Sequence, residues 1–276
     1  MANITAADVA KLRKQTGAGM MDCKKALQES EGDFKKAIET HRKKGAKVAA
    51  KRADKDATEG YVIAQTNADN TFGVVAMVNC ETDFVGKSPE FVAFVKGIAD
   101  VALENKAETL EAVLKLKVDG ITVEEKVSEM TGKTGEKLEF DSYAALSGEL
   151  VSAYNHLGNK IGTLVSLNKN IDGTADAAHD VAMQVAAMNP VALNKESVSQ
   201  EVINTELEVG KELARKEGKP EELLDKIAQG RLGKFFKENT LLNQDFIKDS
   251  KKTVAGYLKE TDKDLTVTNF FRFALG

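Results

Sequence analysis

Short β-branched runs and single amphipathic helices alternate along this chain, and one order of elements occurs twice. Tyr61-Val-Ile-Ala-Gln-Thr66 and Phe72-Gly-Val-Val-Ala-Met-Val78 flank the turn residues Asn67-Ala-Asp-Asn70, which predicts a hairpin. A helix follows from Pro89 to about Leu103, with Phe91, Val92, Phe94, Val95, Ile98 and Val101 at helical spacing. Farther along, Leu150-Val-Ser-Ala-Tyr154, the turn Leu157-Gly-Asn159 and Ile161-Gly-Thr-Leu-Val-Ser-Leu167 predict a second hairpin. Its helix runs from about Ala175 to Met188 and is stopped by Pro190. Between the repeats, Thr122-x-x-Glu125 has the spacing of a capping box for another short helix. The pattern predicts an α+β core of two related antiparallel-sheet/helix halves.

Helical segments flank and interrupt that core. In residues 1–45, Thr5 is a plausible N-cap, and Val9 and Leu12 form an apolar i, i+3 pair. Gly17-Ala-Gly19 breaks the chain before Met20, Met21 and Asp22-Cys-Lys-Lys-Ala-Leu27. Glu31-Gly32 ends that helix, and Asp33 caps a third that carries Phe34, Ala37 and Ile38. Three short helices around so few apolar residues resemble a ubiquitin-associated fold. The two methionines fit core filling, since Met adapts to irregular gaps, and fit equally well docking from the tip of a Gly-rich turn. After Pro190, Ser199 to Glu217 is highly charged, with Val202, Ile203, Leu207 and Leu213 as its sparse apolar positions. The turn Gly218-Lys-Pro220 leads back through Leu223, Leu224, Ile227, Leu232 and Phe235, so the two helices must run antiparallel. Leu241 to Ile247, a helix from about Thr253 and a strand over Thr268 to Leu275 close the chain, the strand rejoining the core sheet. The expected organisation is a ubiquitin-associated-like unit at 1–45, a basic linker at 46–58, core halves at 59–140 and 141–190, a coiled-coil-like hairpin at 191–237, and the remainder of the second half at 238–276.

Composition narrows the function classes. The 276 residues leave room for two or three domains, and 42% apolar with 30% charged residues is ordinary for a soluble globular protein. No run approaches the roughly 18–20 apolar residues that span a bilayer, and the N-terminus lacks the basic and apolar regions of a signal peptide. Cys23 and Cys80 lie far apart without ligand spacing, which fits a reducing cytoplasm. Charge is uneven. Residues 1–58 carry 14 Lys/Arg against 8 Asp/Glu, a net of +6, which leaves −10 for the remainder of a chain whose total is −4. The excess concentrates at His41-Arg42-Lys43-Lys44 and Lys51-Arg52, yet no aromatic residue stands between Phe34 and Tyr61 to stack on bases. A solvated linker helix is the expected reading, without stable nucleic-acid binding.

Catalytic readings fail on spacing. Gly132-Lys133-Thr134 looks like the end of a Walker A loop, but Val127 stands where that motif needs Gly. His41, His156 and His179 have no sequence relation to either cysteine that suggests an activated nucleophile. Glu81 and Asp83 alone supply too few oxygens for a divalent ion. Neither an enzyme nor a cofactor of its own is expected.

The most informative stretch is Asn79-Cys80-Glu81-Thr82-Asp83-Phe84-Val85. A strand ending in Glu-Thr-Asp should turn into solvent, but Phe84 and Val85 follow at once, before the helix-start signal Ser88-Pro89. Either Phe84 folds back on its own core while Asp83 caps the turn, or an aromatic and a carboxylate stand together at a loop tip. This stretch and Leu12-Arg-Lys-Gln-Thr-Gly-Ala-Gly-Met-Met-Asp-Cys-Lys-Lys-Ala-Leu27 resemble the two signatures of the bacterial elongation factor Ts family. The likeness extends over essentially the whole chain, including the doubled core and the inserted hairpin.

The resemblance implies a guanine-nucleotide exchange factor that binds the GTPase elongation factor Tu, both GDP-bound and nucleotide-free. Thr82, Asp83, Phe84 and Val85 are then the loop that enters the partner near its bound Mg²⁺. Leu12, Met20 and Met21 belong to the unit that grips a helix of the partner, and His156 is the contact from the second core half. Longer family members continue into a C-terminal helical module that also touches the GTPase, so that contact is expected to be missing here or replaced by the second core half. The alternative is an adaptor with a ubiquitin-associated-like head, in which the 191–237 hairpin pairs two copies of the chain.

Overall fold

The computed structural model describes residues 4–16, 18–52 and 54–276, apart from the side chains of residues 42, 44, 46 and 49. Met1–Asn3, Gly17 of the Gly-rich turn, and the side chains of Arg42 and Lys44 in the basic block lie outside the described residues. The head is formed by α1 (Ala6–Thr16), α2 (Met20–Glu29) and α3 (Phe34–Lys51). Thr5 and Asp8 bond reciprocally at the start of α1, and Asp33 accepts the Lys35 and Lys36 N–H groups at the start of α3. Val9, Leu12, Cys23, Ala26, Leu27 and Ala37 form the small core between them. Positive φ at Glu31 and Gly32 turns the chain out of α2.

Two sheets follow. β1 (Glu59–Thr66), β2 (Phe72–Cys80) and β5 (Glu139–Ser147) form the first, in the order β1-β2-β5. Between β2 and β5 the chain makes α4 (Asp83–Gly86), α5 (Pro89–Glu104), α6 (Leu110–Lys115), the small pair β3 (Lys117–Val118) and β4 (Ile121–Thr122), and α7 (Val123–Thr134). Phe91, Phe94, Val95 and Ile98 of α5 cover β2 through Val74, Ala76 and Val78. The Thr122/Glu125 capping box starts α7 as its spacing predicts. The second sheet has the order β10-β7-β6, from β6 (Leu150–Asn155), β7 (Ile161–Leu167) and the last strand β10 (Val267–Ala274). Helix α8 (Thr174–Met188) covers it with Ala177, Ala178, Val181 and Val185. The sheets face one another across Val62, Val75, Leu146, Val151 and Leu164. Helices α9 (Gln200–Lys216) and α10 (Leu224–Asn239) make the antiparallel hairpin, and β8 (Asp245–Phe246), β9 (Asp249–Thr253) and α11 (Val254–Thr261) lead into β10.

Two features differ from the sequence reading. β5 runs through the division expected at 140/141 and completes the first sheet by pairing with β2 from Phe72↔Ser147 to Asn79↔Glu139. The basic linker helix is not wholly solvated. Lys43 and Lys47 are exposed, but α3 continues past residue 45 and packs closely on α7. A Cβ on Gly45 would lie 2.1 Å from the Ser128 carbonyl oxygen, and one on Gly132 would lie 2.9 Å from Gly45 Cα. Only the absence of both side chains lets the helices approach so closely.

Candidate functional site

The turn after β2 is built to hold one side chain in solvent. Thr82 is the N-cap of α4, its hydroxyl accepting the Val85 N–H at 3.4 Å. Gly86 then passes so near β1 that a Cβ would meet the Gly60 carbonyl oxygen at 2.9 Å. Ser88 caps α5 by accepting the Phe91 N–H at 3.3 Å, with Pro89 in the first turn. Two capped turns in succession fix the backbone on both sides of residues 83–85. Val85 packs against the first core, whereas Phe84 is 85% exposed. Of the two open readings, the fold-back of Phe84 is excluded, and the capping residue is Thr82 rather than Asp83. The Asp83 carboxylate instead takes a 2.6 Å bond from Lys87 Nζ, which holds it below the ordinary carboxylate range and raises Lys87 in turn.

Below the turn lies a polar base. The Glu81 carboxylate receives Arg52 Nε on one oxygen and an Arg52 terminal nitrogen on the other, each at 2.5 Å. Its Oε1 also accepts the Lys137 backbone N–H at 2.6 Å. Arg52 above all, with Lys137, holds Glu81 at about 2. Glu136 accepts the Thr82 hydroxyl at 2.6 Å and the Thr82 N–H at 3.1 Å. The buried Cys80 thiol donates to the Thr82 carbonyl at 3.1 Å, and burial pushes it to about 12, so it is a structural thiol rather than a nucleophile.

A second tip stands beside the first. The turn between β6 and β7 places Leu157 in solvent at 89% exposure, with His156 exposed next to it. His156 Nδ1 lies 2.9 Å from the Tyr154 hydroxyl, and the Tyr154 ring packs edge-on to His179. Asn155 and Asn159 bind this turn to the outer edge of β1. The Asn155 side-chain amide accepts from and donates to the Ala64 backbone at 2.8 Å, while Asn159 accepts the Val62 N–H at its backbone carbonyl and donates its side-chain amide to the Val62 carbonyl. These amides complete β1 as a neighbouring strand would. Between the tips is a cleft of about 290 Å³, with Asp83, Gly86 and Lys87 on one wall, Gly158, Asn159 and Lys160 on the other, and Tyr61 between.

The head presents a separate apolar surface. Met20 and Met21 begin α2 directly after Gly19 and are 57% and 76% exposed, so they are not core fillers. Leu12 is fully buried and shapes the head from within without reaching its surface. Sequence reasoning used Leu157 only as part of a turn and Arg52 only as part of the basic block, and passed over Glu136 and Lys137. An apolar residue inside a Gly-Asn turn was a usable signal for Leu157. The other three lie 29 to 56 residues from their partners and have no local pattern. Among the described residues, no group of three or more His, Cys, Asp or Glu could hold a metal ion, and no helix is long and apolar enough to cross a membrane.

The family model described as elongation factor TS matches residues 81–276, which include this turn and most of the core. Proteins named elongation factor Ts from Christiangramia forsetii and Flavobacterium psychrophilum are each 55% identical, over the whole of both chains compared. The one from Amoebophilus asiaticus is 49% identical over 99% of each. The chain belongs to the elongation factor Ts family. It carries its exposed Phe84 and Leu157 on neighbouring tips of the doubled core and Met20 and Met21 on the head; of the polar base of the first tip, Glu81, Thr82, Glu136 and Lys137 lie inside the matched region and Arg52 and Cys80 outside it.

Proposed function

We propose that this chain is a guanine-nucleotide exchange factor for elongation factor Tu and acts by wedging and by charge rather than by covalent chemistry. Its family membership supports the exchange role in translation. The observation that carries the mechanism is the 85% exposed Phe84 beside the ionised Asp83, on a turn capped at both ends. A P-loop GTPase holds its nucleotide through Mg²⁺ bridging the phosphates. A factor that prefers the nucleotide-free state speeds release, and nucleotide expels the factor by the same free energy. In this reading Phe84 displaces partner side chains, Asp83 disturbs the surroundings of the metal, and Thr82 and Val85 hold the two in place. Leu157 and His156 extend the contact from the second half, and Met20 and Met21 dock the head, supported from within by Leu12. The hairpin serves a peripheral contact or a second copy of the chain, a reading favoured by the exposed Val209 and Leu213 along α9. The deciding experiment mixes the chain with elongation factor Tu loaded with fluorescent GDP. Release should accelerate with factor concentration to a plateau and reverse on adding excess GDP. Release at the intrinsic rate at every concentration would sink the proposal.

A further inference from the structure

The polar base of the first tip joins parts of the chain that no single element would bring together. Arg52 immediately follows α3, the longest helix of the head, and its guanidinium closes on the carboxylate that directly precedes the Thr82 cap. Both oxygens of Glu81 are engaged by the planar fork, and one is engaged again by the Lys137 N–H. Lys137 Nζ reaches back to the Lys55 carbonyl at 3.0 Å, and Glu136 holds Thr82 itself. The residues leaving the head, the segment entering the tip and the turn after α7 are therefore bonded into one cluster. A second attachment lies along α3, where Gly45 meets Ser128 and Gly132. Two points of attachment fix a helix in direction as well as in position.

With the Glu81 side chain only 11% exposed and that of Arg52 37%, desolvation offsets much of the attraction within the pair, so net stabilisation alone is a poor account of this arrangement. Its geometry sets an orientation. A guanidinium that meets both carboxylate oxygens in plane leaves little freedom to rotate, which a lysine ammonium in its place would permit. We propose that Arg52 and Glu81 are a positioning pair that ties the head to the Phe84 tip, so that docking of Met20 and Met21 on the GTPase sets where Phe84 stands at the nucleotide site. The inference rests on the exchange reading above. Glu81 stays ionised throughout the neutral range, so the pair is permanent rather than switched.

The test uses the full chain and stopped-flow release of fluorescent GDP from elongation factor Tu, recording the plateau rate and the half-saturating concentration separately. Arg52→Met keeps the aliphatic stem and removes the fork, and Arg52→Lys keeps the charge alone. The expected result is a plateau about tenfold lower for Arg52→Met, with Arg52→Lys recovering only part of it and both variants melting within a few degrees of the parent. A residue that merely stabilised the fold would leave the plateau of the folded protein unchanged. Adding Met20→Ala with Met21→Ala completes a double-mutant cycle. The head substitutions should lower the plateau in the parent and hardly affect it once Arg52 is Met, because the connection is already cut. A parental plateau in both Arg52 variants overturns the proposal, as do head and Arg52 penalties that simply multiply. Phe84→Ala in the same assay separates the two levels. If Phe84→Ala also reaches the parental plateau, the wedge reading fails first. If Phe84→Ala is slow while the Arg52 variants are not, the positioning pair alone is wrong.

Discussion

Phe84 forgoes the roughly 1.5–3 kcal/mol that burial of an aromatic side chain ordinarily contributes, and two caps keep it from folding back. Truncation to Ala should therefore leave the free chain within about 0.5 kcal/mol of its parental stability. In the complex the same change should cost about 2 kcal/mol, roughly thirtyfold in affinity for nucleotide-free elongation factor Tu, as anchoring aromatics do. Asp83→Asn keeps the shape and removes the charge, so its slower GDP release should approach the parent when Mg²⁺ is chelated. Phe84→Ala should stay slow under chelation, because a wedge also moves protein groups. Stopped-flow release with and without chelator checks both, and parental rates for both variants would reduce the turn to a structural one. Glu81 adds a pH signature. Its folded-state pKa is depressed to about 2 from 4.5, so its stabilisation is fully present above 4.5 and is lost as pH falls toward 2. The Tm gap between the parent and Glu81→Gln should be constant at neutral pH and close across that window. A gap that persists at the acid end would mean that Glu81 acts by packing. In sequence, Phe84 was legible only as a question, since an apolar residue after Glu-Thr-Asp has two resolutions, and tertiary contacts decide between them.

At the scale of elements, the two hairpins and helices α5 and α8 were legible because periodicity, turn residues and caps agree along each segment. β5 was not. Its buried residues Phe140, Ala144 and Leu146 share one face, but Ser142 interrupts that face and Tyr143 and Ala145 are apolar on the other, so no alternation stands out in the sequence, and the segment is a strand because β2 offers an edge. The α3–α7 crossing was equally hidden, since a helical glycine reads as a weakness until its neighbour is known. That contact permits a test in which two glycines should behave oppositely. Ala in place of Gly gains about 1 kcal/mol of helix propensity at an interior position. Gly97 of α5 has nothing within 4 Å of its notional Cβ, so Gly97→Ala should raise Tm by a few degrees. At Gly45 the new Cβ would strike the Ser128 backbone oxygen, and overpacking typically costs about 1–3 kcal/mol, more than propensity returns. Gly45→Ala should lower Tm and loosen the head, visible as faster proteolysis between α3 and β1. A rise in Tm would show that the crossing yields at little cost. For the hairpin, Ala192 bridges Thr240, and the Leu241 N–H bonds the Ala192 carbonyl, so its ends already adjoin. Replacing residues 195–237 with a short Gly/Ser linker should keep the core folded and most of the exchange activity. Complete loss of exchange in a folded deletion variant would place the hairpin in the mechanism.

The whole molecule brings together what the sequence keeps apart. A repeated order of elements implied two halves, but not which loops of those halves would meet. The structure sets the Asp83–Gly86 turn of one half beside the His156–Asn159 turn of the other, through the Asn155 and Asn159 amides on the free edge of β1. Asparagine in or after a strand reads as a turn residue, and its use here as a surrogate strand depends on an edge some 90 positions earlier in the chain. If the two tips form one surface, their spacing matters as much as their side chains. Asn155→Ala removes two bonds to Ala64 at a half-exposed place that water can reach, so it should cost only about 1 kcal/mol of stability. Its effect on the complex should be larger than that, since Leu157 is then no longer held in register with Phe84. The discriminating measurement is a cycle of Asn155→Ala against Leu157→Ala, read as affinity for nucleotide-free elongation factor Tu. With tips acting together, Leu157→Ala should weaken binding in the parent and weaken it much less once Asn155 is Ala, a coupling of about 1 kcal/mol or more. Penalties that add within experimental error would mean that each tip finds its own contact, and that the amide ladder serves folding alone.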